Sequence, residues 1–337
     1  LENNNEIGYG YQDDLLIDQK HKGKKLTWHF FNEQAHDFMW AADPDYTHQI
    51  AQVPNGPKLH FFYQEGQATR HWKKLPEILI AAFQYMNTHF GAYPFSDFYV
   101  IQGGDGGMEY PMCTLITAEG SFRGLVSVTV HESIHSWFQG LLGTNESKYE
   151  WMDEGFCTYA QYEVLNFLYG NKILNPLSRQ YKSYARLAKS INNEPLSTHA
   201  DFYNLNYVYG VNAYNKGAIF LHQLGYIIGS DILAVGMKKY FEKWKFKHPK
   251  PIDFKKIIFC KYQDFYKIIS KELYEYYWFS QELPKDQIWG RTDNFFSDVF
   301  KDEILTFVPT RELCRHFDGY QHCPRQYQND LVPVLEI

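Results

Sequence analysis

The sequence predicts an α+β fold, mostly helical with a small β sheet. Short runs rich in aromatic and β-branched residues lie before residue 103, and apolar residues recur at helical spacing through most of the second half. Composition agrees, because 45% hydrophobic against 21% charged residues is enough apolar material for a packed core. At 337 residues the chain exceeds the size at which one core usually stops growing, so more than one domain is expected.

Residues 24–31 carry Leu26, Thr27, Trp28, Phe30 and Phe31 at strand-like spacing, and Asp43-Pro44-Asp45 makes a turn. Residues 1–48 therefore read as an incomplete β region. Lys58–Tyr63 is a second strand candidate. Residues 72–89 place Leu75, Ile78, Leu79, Ala82, Phe83 and Met86 on one helical face. Pro94 restarts the chain in extended form, with a strand over 98–102. Four of the five residues from Gly103 to Gly107 are glycine, so the backbone there can turn sharply or let a ligand approach. A helix is expected from Arg123, although Val126, Val128, Thr129 and Val130 alone would favour a strand. Another runs from Glu154 to a stop near Gly170, and further helices are expected over 175–190, 213–228, 234–244 and 254–269. Beyond about residue 285 no sustained period remains, and residues 286–337 receive no role.

Charge and composition also exclude. A net charge of -6 gives no broad basic footprint, which argues against a nucleic-acid partner. Five sparse cysteines do not make the framework of a small disulfide-stapled protein. The chain has no run of eighteen apolar residues, so no membrane span is expected. It opens on Leu1, which leaves room for an upstream leader, and a periplasmic or secreted location would follow from one; compartment and oligomeric state stay open.

The chemistry lies in His131-Glu132-Ser133-Ile134-His135, followed after eighteen residues by Glu154 in Trp151-Met152-Asp153-Glu154-Gly155. Residues four apart share a helix face, so His131 and His135 can direct ring nitrogens to one ion. Glu154, from the next helix, completes a two-His, one-Glu set for a single Zn²⁺ that leaves a fourth position open. Calcium and magnesium want oxygen shells, and the imidazole pair argues against both. Glu132 sits about a quarter-turn from the ligands, where it can take a proton from a metal-activated water and pass it to the leaving amine. A phenol opposite the ion would stabilise the oxyanion; Tyr203, Tyr207, Tyr209 and Tyr214 are the candidates, and composition does not choose among them.

Together with Gly106-Gly107-Met108-Glu109-Tyr110-Pro111 and Tyr214-Asn215-Lys216-Gly217, these motifs resemble the M1 family of zinc aminopeptidases over roughly residues 25–285. The resemblance implies the end of an N-terminal β domain over 1–48 and a thermolysin-like catalytic domain over 49–285. It assigns Glu109 to the substrate's free α-ammonium and Tyr214 to the oxyanion. A carboxylate pairing with that ammonium restricts cleavage to the first peptide bond. Gly106, Gly107 and Met108 would then lie along the substrate backbone, with Met108 either bordering the first side-chain pocket or packing in the core. Tyr110 departs from the Asn that many members carry after the motif's Glu.

The leading expectation is thus a zinc-dependent aminopeptidase acting on peptides with a free N-terminus. Its rivals are a zinc endopeptidase with the same hydrolytic core and a noncatalytic protein that uses zinc for stability. N-blocked substrates separate the first two; the third needs a closed coordination shell, in which Glu132 would have no purpose.

Overall fold

The computed structural model describes residues 5–8, 35–104, 106–117, 120–170 and 177–259. The strand expected over 24–31, the end of the helix expected over 254–269 and all of residues 286–337 lie outside them. Two short strands, β1 (Asn5–Gly8) and β2 (Trp40–Asp43), pair antiparallel with Gly8 against Trp40. The expected turn follows at Pro44 and Asp45, where the Asp45 N–H donates to Asp43 Oδ1 at 2.8 Å.

The main sheet has five strands. β3 (Tyr46–Gln52) and β4 (Lys58–Gln64) form an antiparallel pair in which Tyr46 faces Gln64, so β3 crosses the boundary expected at residue 48. After a 3₁₀ turn at Trp72–Lys74, helix α1 (Leu75–His89) carries the chain over to β5 (Asp97–Gln102), which lies parallel to β4. Of the apolar positions foreseen for α1, Leu75, Leu79, Ala82, Phe83 and Met86 are buried and Ile78 is half-buried. β6 (Gly107–Tyr110) and β7 (Cys113–Ile116) form a hairpin, and the sheet order is β3-β4-β5-β7-β6. β6 is thereby an edge strand, and its free side can accept another backbone.

Helix α2 (Phe122–Ile134) starts at Ser121, whose hydroxyl accepts from the Gly124 N–H at 3.1 Å. Its β-branched residues do not make it a strand, because Val126, Val130 and Ile134 lie four apart and all enter the core. The buried hydroxyls of Thr129 and Ser133 donate to the carbonyls one turn back, at 2.8 and 2.7 Å. Wide π turns follow at Ser136–Leu141 and Trp151–Gly155, the second leading into α3 (Phe156–Leu168). Then come α4 (Ser178–Ala188), a short α5 (Asn206–Gly210), a third π turn (Val211–Lys216), α6 (Gly217–Ile228), α7 (Ser230–Trp244) and α8 (Pro251–Phe259).

Aromatic side chains knit sheet to helices. Phe83 packs on Tyr93, Phe98 and Trp137, and the Trp137 indole donates to the Gly91 carbonyl at 2.8 Å. Phe156 meets Phe138, Trp151, Tyr240 and Phe254. These contacts brace both ends of the segment from α2 to α3 that holds the histidine pair and Glu154.

Candidate metal centre and substrate groove

Helical spacing does what the sequence required of it. His131 lies in the last turn of α2 and His135 caps the helix, so both rings face the π turn that carries Glu154. His131 Nε2 lies 3.3 Å from His135 Nε2 and 3.1 Å from Glu154 Oε2, and the remaining side, His135 Nε2 to Glu154 Oε2, is 3.4 Å. Three ligand atoms about 3.3 Å apart outline one face of a tetrahedron whose centre is ~2.0–2.1 Å from each corner, the bond length of zinc to nitrogen and oxygen. The donor set and its spacing fit Zn²⁺.

The electrostatics agree. Burial pushes Glu132 up to about 8, His135 works against the shift, and Glu109 and Glu154 add to it. Burial likewise pushes Asp153 up to about 8, opposed by His135. For His135 burial disfavours the charged ring, yet Cys157, Asp153 and Glu154 outweigh it and hold the ring well above its ordinary range. Burial also drives the Cys157 thiol upward, opposed by His135. Glu154 is buried, which would raise it, but His135 and His131 hold it far below the usual carboxylate range. Glu109, Glu132, Asp153 and Glu154 crowd the two imidazoles, and a dication at the convergence point would favour the ionised form of each acid.

His135 Nδ1, on the far side of its ring, lies 2.6 Å from Asp153 Oδ1, although the angle is poor for a hydrogen bond. Asp153 sits beside Glu154 in sequence but turns to the other side of the histidine. Glu150 goes elsewhere and accepts from the Tyr203 hydroxyl at 2.8 Å.

That contact also sorts the phenols. Tyr203 is held by Glu150, Tyr207 accepts from the Asn192 amide at 3.1 Å, and Tyr209 stacks edge-on to Tyr203. Tyr214 alone of the four donates to Glu154, at 2.5 Å from its Oε1. Burial and the neighbouring Glu154 drive its phenol far above the ordinary value.

On the opposite flank, edge strand β6 brings Glu109 Oε1 to 3.9 Å from His135 Nδ1. Gly107 makes this approach possible, since a Cβ there would stand 2.4 Å from Glu132 Oε1 and 2.6 Å from Val128 Cγ2. Strand alternation puts Gly107 and Glu109 on the face toward α2, and Met108, 39% exposed, on the other. Gly106 lies in the bend before β6, with open space around its Cα.

Sequence reasoning left Asp153 without a role and did not find the open cavity on the His131 side, lined by Ser127, Val128, Gln161, Gln180, Tyr214 and others. Asp153 had a signal in its place next to a ligand. The cavity draws on α2, α3 and α4, whose convergence no local pattern shows.

The profile of the Peptidase family M1 domain matches residues 77–272. Leukotriene A-4 hydrolase of Xenopus laevis is 29% identical over 180 residues, which is 49% of this chain and 29% of the relative. Aminopeptidase B of Mus musculus is 32% identical over 158 residues, 42% of this chain and 23% of the relative. Leucine aminopeptidase 2-1 of Meyerozyma guilliermondii is 22% identical over 292 residues, 77% of this chain and 46% of the relative. The chain thus spans less than half the length of each of these relatives. Among solved structures, a mutant M1 zinc metallopeptidase of Deinococcus radiodurans bound to a Tyr-Ser-Ala substrate superposes with a TM-score of 0.58. It is 16% identical, with 79% of this chain and 60% of that one covered, and this likeness is one of fold.

Proposed function

The chain belongs to peptidase family M1, and from that membership we propose that it is a zinc-dependent aminopeptidase acting on peptides with a free N-terminus. The observation that carries the proposal is the near-equilateral triangle of His131 Nε2, His135 Nε2 and Glu154 Oε2, with Glu132 and Glu109 beside it. The same membership supports reading residues 49–285 as a thermolysin-like catalytic domain preceded, over 1–48, by the end of an N-terminal β domain.

His131, His135 and Glu154 would hold one Zn²⁺, which when bound makes a water more acidic and polarises the scissile carbonyl. Glu132 is the base: its carboxylate takes the water's proton and later delivers it to the leaving amine. Burial, at 7% exposure, keeps that carboxylate out of bulk water, which strengthens its interaction with the reacting groups. Glu109 receives the substrate's α-ammonium as a charge-assisted pair and so sets the register at the first peptide bond. The free edge of β6, with Gly107 against α2, lets the substrate backbone lie close to Glu132. Tyr214, beside Glu154, donates its phenol proton to the oxyanion that develops on the carbonyl.

The test compares aminoacyl amides with their N-acetylated counterparts on the zinc-loaded protein. Hydrolysis of the free-amine form and loss of hydrolysis on acetylation is expected. Equal rates on both would reject the exopeptidase reading and favour an endopeptidase.

A further inference from the structure

We propose that the turn between α7 and α8 docks on an anionic lipid headgroup layer, with the Phe246 ring as the inserted tip and the neighbouring lysines as the electrostatic contact. From Lys243 to Lys250 the chain reads Lys-Trp-Lys-Phe-Lys-His-Pro-Lys, and between residues 238 and 256 eight lysines stand against two acids, Glu242 and Asp253. No arginine lies between Arg186 and Arg291. Lysines are hydrated point charges suited to a diffuse anionic plane, whereas nucleic-acid phosphates favour the planar fork of arginine. The net charge of -6 does not cancel this patch, because salt confines each exposed charge to about 8–10 Å. It turns the rest of the molecule away from the plane instead.

The backbone singles out Phe246. Trp244 to Lys247 form a type II turn: Lys245 has φ -52° and ψ 139°, Phe246 has φ 62°, and the Lys247 N–H donates to the Trp244 carbonyl at 3.0 Å. The third place of such a turn favours glycine and strains an aromatic residue. The fold recovers one ring contact there, edge-on to Phe95 with 6.1 Å between centroids, and leaves Phe246 42% exposed. A half-exposed ring on strained backbone, with lysines on both sides of it in sequence, has the chemistry of a headgroup-layer anchor. Two of those lysines are engaged, Lys245 with Glu242 at 2.7 Å and Lys247 with the Lys243 carbonyl at 2.9 Å. Lys243 and Lys250 are exposed, and among the described residues neither side chain has an acidic partner. The turn is also set before any surface arrives. Phe246 N–H donates to the Leu141 carbonyl at 2.6 Å, Lys247 bridges Leu142, and His248 Nδ1 lies 2.9 Å from the Gly143 carbonyl. A preformed tip loses little conformational freedom on docking.

The experiment measures cosedimentation of the full chain with vesicles of phosphatidylcholine alone and of phosphatidylcholine mixed with phosphatidylserine, at low and at physiological salt. Peptidase activity plays no part in the readout, so the outcome is separate from the aminopeptidase reading. The wild type is expected to bind the mixed vesicles and not the neutral ones, and to bind less as salt rises. Lys243→Gln and Lys250→Gln should each lower the partition coefficient by about five-fold, the effect of one lysine near an anionic surface. Phe246→Gly should lower it by roughly three- to ten-fold, since the exposed part of the ring no longer enters the interface. Glycine suits this turn, so the variant should remain folded, which its thermal midpoint checks; Phe246→Asn, also tolerant of positive φ, gives a second reading of the same loss. A wild type that binds neither vesicle, or both equally, overturns the proposal. So does binding that survives Phe246→Gly or both lysine substitutions unchanged. Displacement from the mixed vesicles by a single-stranded oligonucleotide at lower concentration than by soluble phosphoserine also overturns it, and assigns the surface to nucleic acid.

Discussion

Glu132 and Asp153 are both buried acids within reach of the same histidine, and they face different ways. Glu132 faces the groove between β6 and α2, where Gly107 leaves it space, so it can exchange a proton with substrate. Glu132→Gln keeps the shape and loses the base; kcat should fall by about 10²–10⁴, the usual contribution of general-base catalysis, while metal analysis still finds one zinc per chain. Retained turnover in that variant would take the base out of the mechanism. Asp153, at 2.6 Å from His135 Nδ1, is placed to favour the ring proton on that nitrogen, and a small turn of either side chain would make the hydrogen bond that leaves the Nε2 lone pair for an ion. Asp153→Asn should raise the zinc dissociation constant by about ten- to a hundred-fold, with activity recovering at saturating zinc. Unaltered zinc affinity would leave Asp153 as packing only. The two histidines and Glu154 were legible in the sequence because their spacing is itself the geometry: one turn of helix for the pair and a loop for the third. Asp153 was not, because a residue adjacent to a ligand can turn either way, and in this chain a π turn decides which.

At the scale of elements, Glu154 and Tyr214 meet because the π turns that carry them touch through glycine. A Cβ on Gly217 would lie 2.8 Å from the Gly155 Cα, and one on Gly155 would lie 2.7 Å from the Gly217 Cα. Backbone on both sides leaves nothing flexible to give way. Gly217→Ala should push the start of α6 off the Glu154 turn, lowering the thermal midpoint and kcat together, with a stability loss of roughly 1–3 kcal/mol as for other overpacked sites. Full stability and rate in that variant would show that the contact has slack. A second link spans β3, β4 and β5: His48 Nε2 lies 2.9 Å from His60 Nδ1, and His60 Nε2 lies 2.9 Å from Asp97 Oδ1. Burial first, and His60 second, lower His48 from 6.5 to about 4. The unfolded chain therefore binds this proton more readily than the folded one, so the contribution is complete above about 6.5 and declines as pH falls toward 4. Partial exposure of His48 keeps the effect small. His48→Gln should flatten this part of the difference in thermal midpoint between pH 7 and pH 4.5; an identical difference in variant and wild type would remove His48 from the acid response. Glycine contacts and histidine strings of this kind join residues far apart in sequence, and single-chain patterning could not pair them. The β6–β7 hairpin escaped for a local reason, since its turn places Met112 at φ 58°, where Gly or Asn would have been the signal.

Across the whole molecule, the sequence announced a small sheet followed by helices because each element buries a face with its own period, and α1 and α3 lie close to where periodicity put them. Sheet order was not announced, since insertion of β7 between β5 and β6 depends on which edge the hairpin finds. That insertion leaves β6 on the rim beside α2 and brings Glu109 Oε1 to 3.9 Å from His135 Nδ1. Acids from β6, α2 and the π turn before α3 then converge on the two imidazoles. Zinc should consequently act as a cross-link between α2 and the Glu154 turn as well as a reagent. Anything that binds the folded chain alone stabilises it by mass action, about 2.7 kcal/mol when free ligand is at a hundred times its dissociation constant. Chelation should lower the thermal midpoint by several degrees, and titrating Zn²⁺ back should raise it with the logarithm of the free concentration. Mg²⁺ and Ca²⁺, which want oxygen shells, should not substitute for it at equal concentration. Glu154→Ala should abolish most of the zinc-dependent rise even in a chain that remains folded, because two imidazoles on one helix hold an ion without tying that helix to the next. A midpoint indifferent to chelation in the wild type would mean that the three ligand atoms do not share an ion, and the catalytic assignment built on them would fail with it.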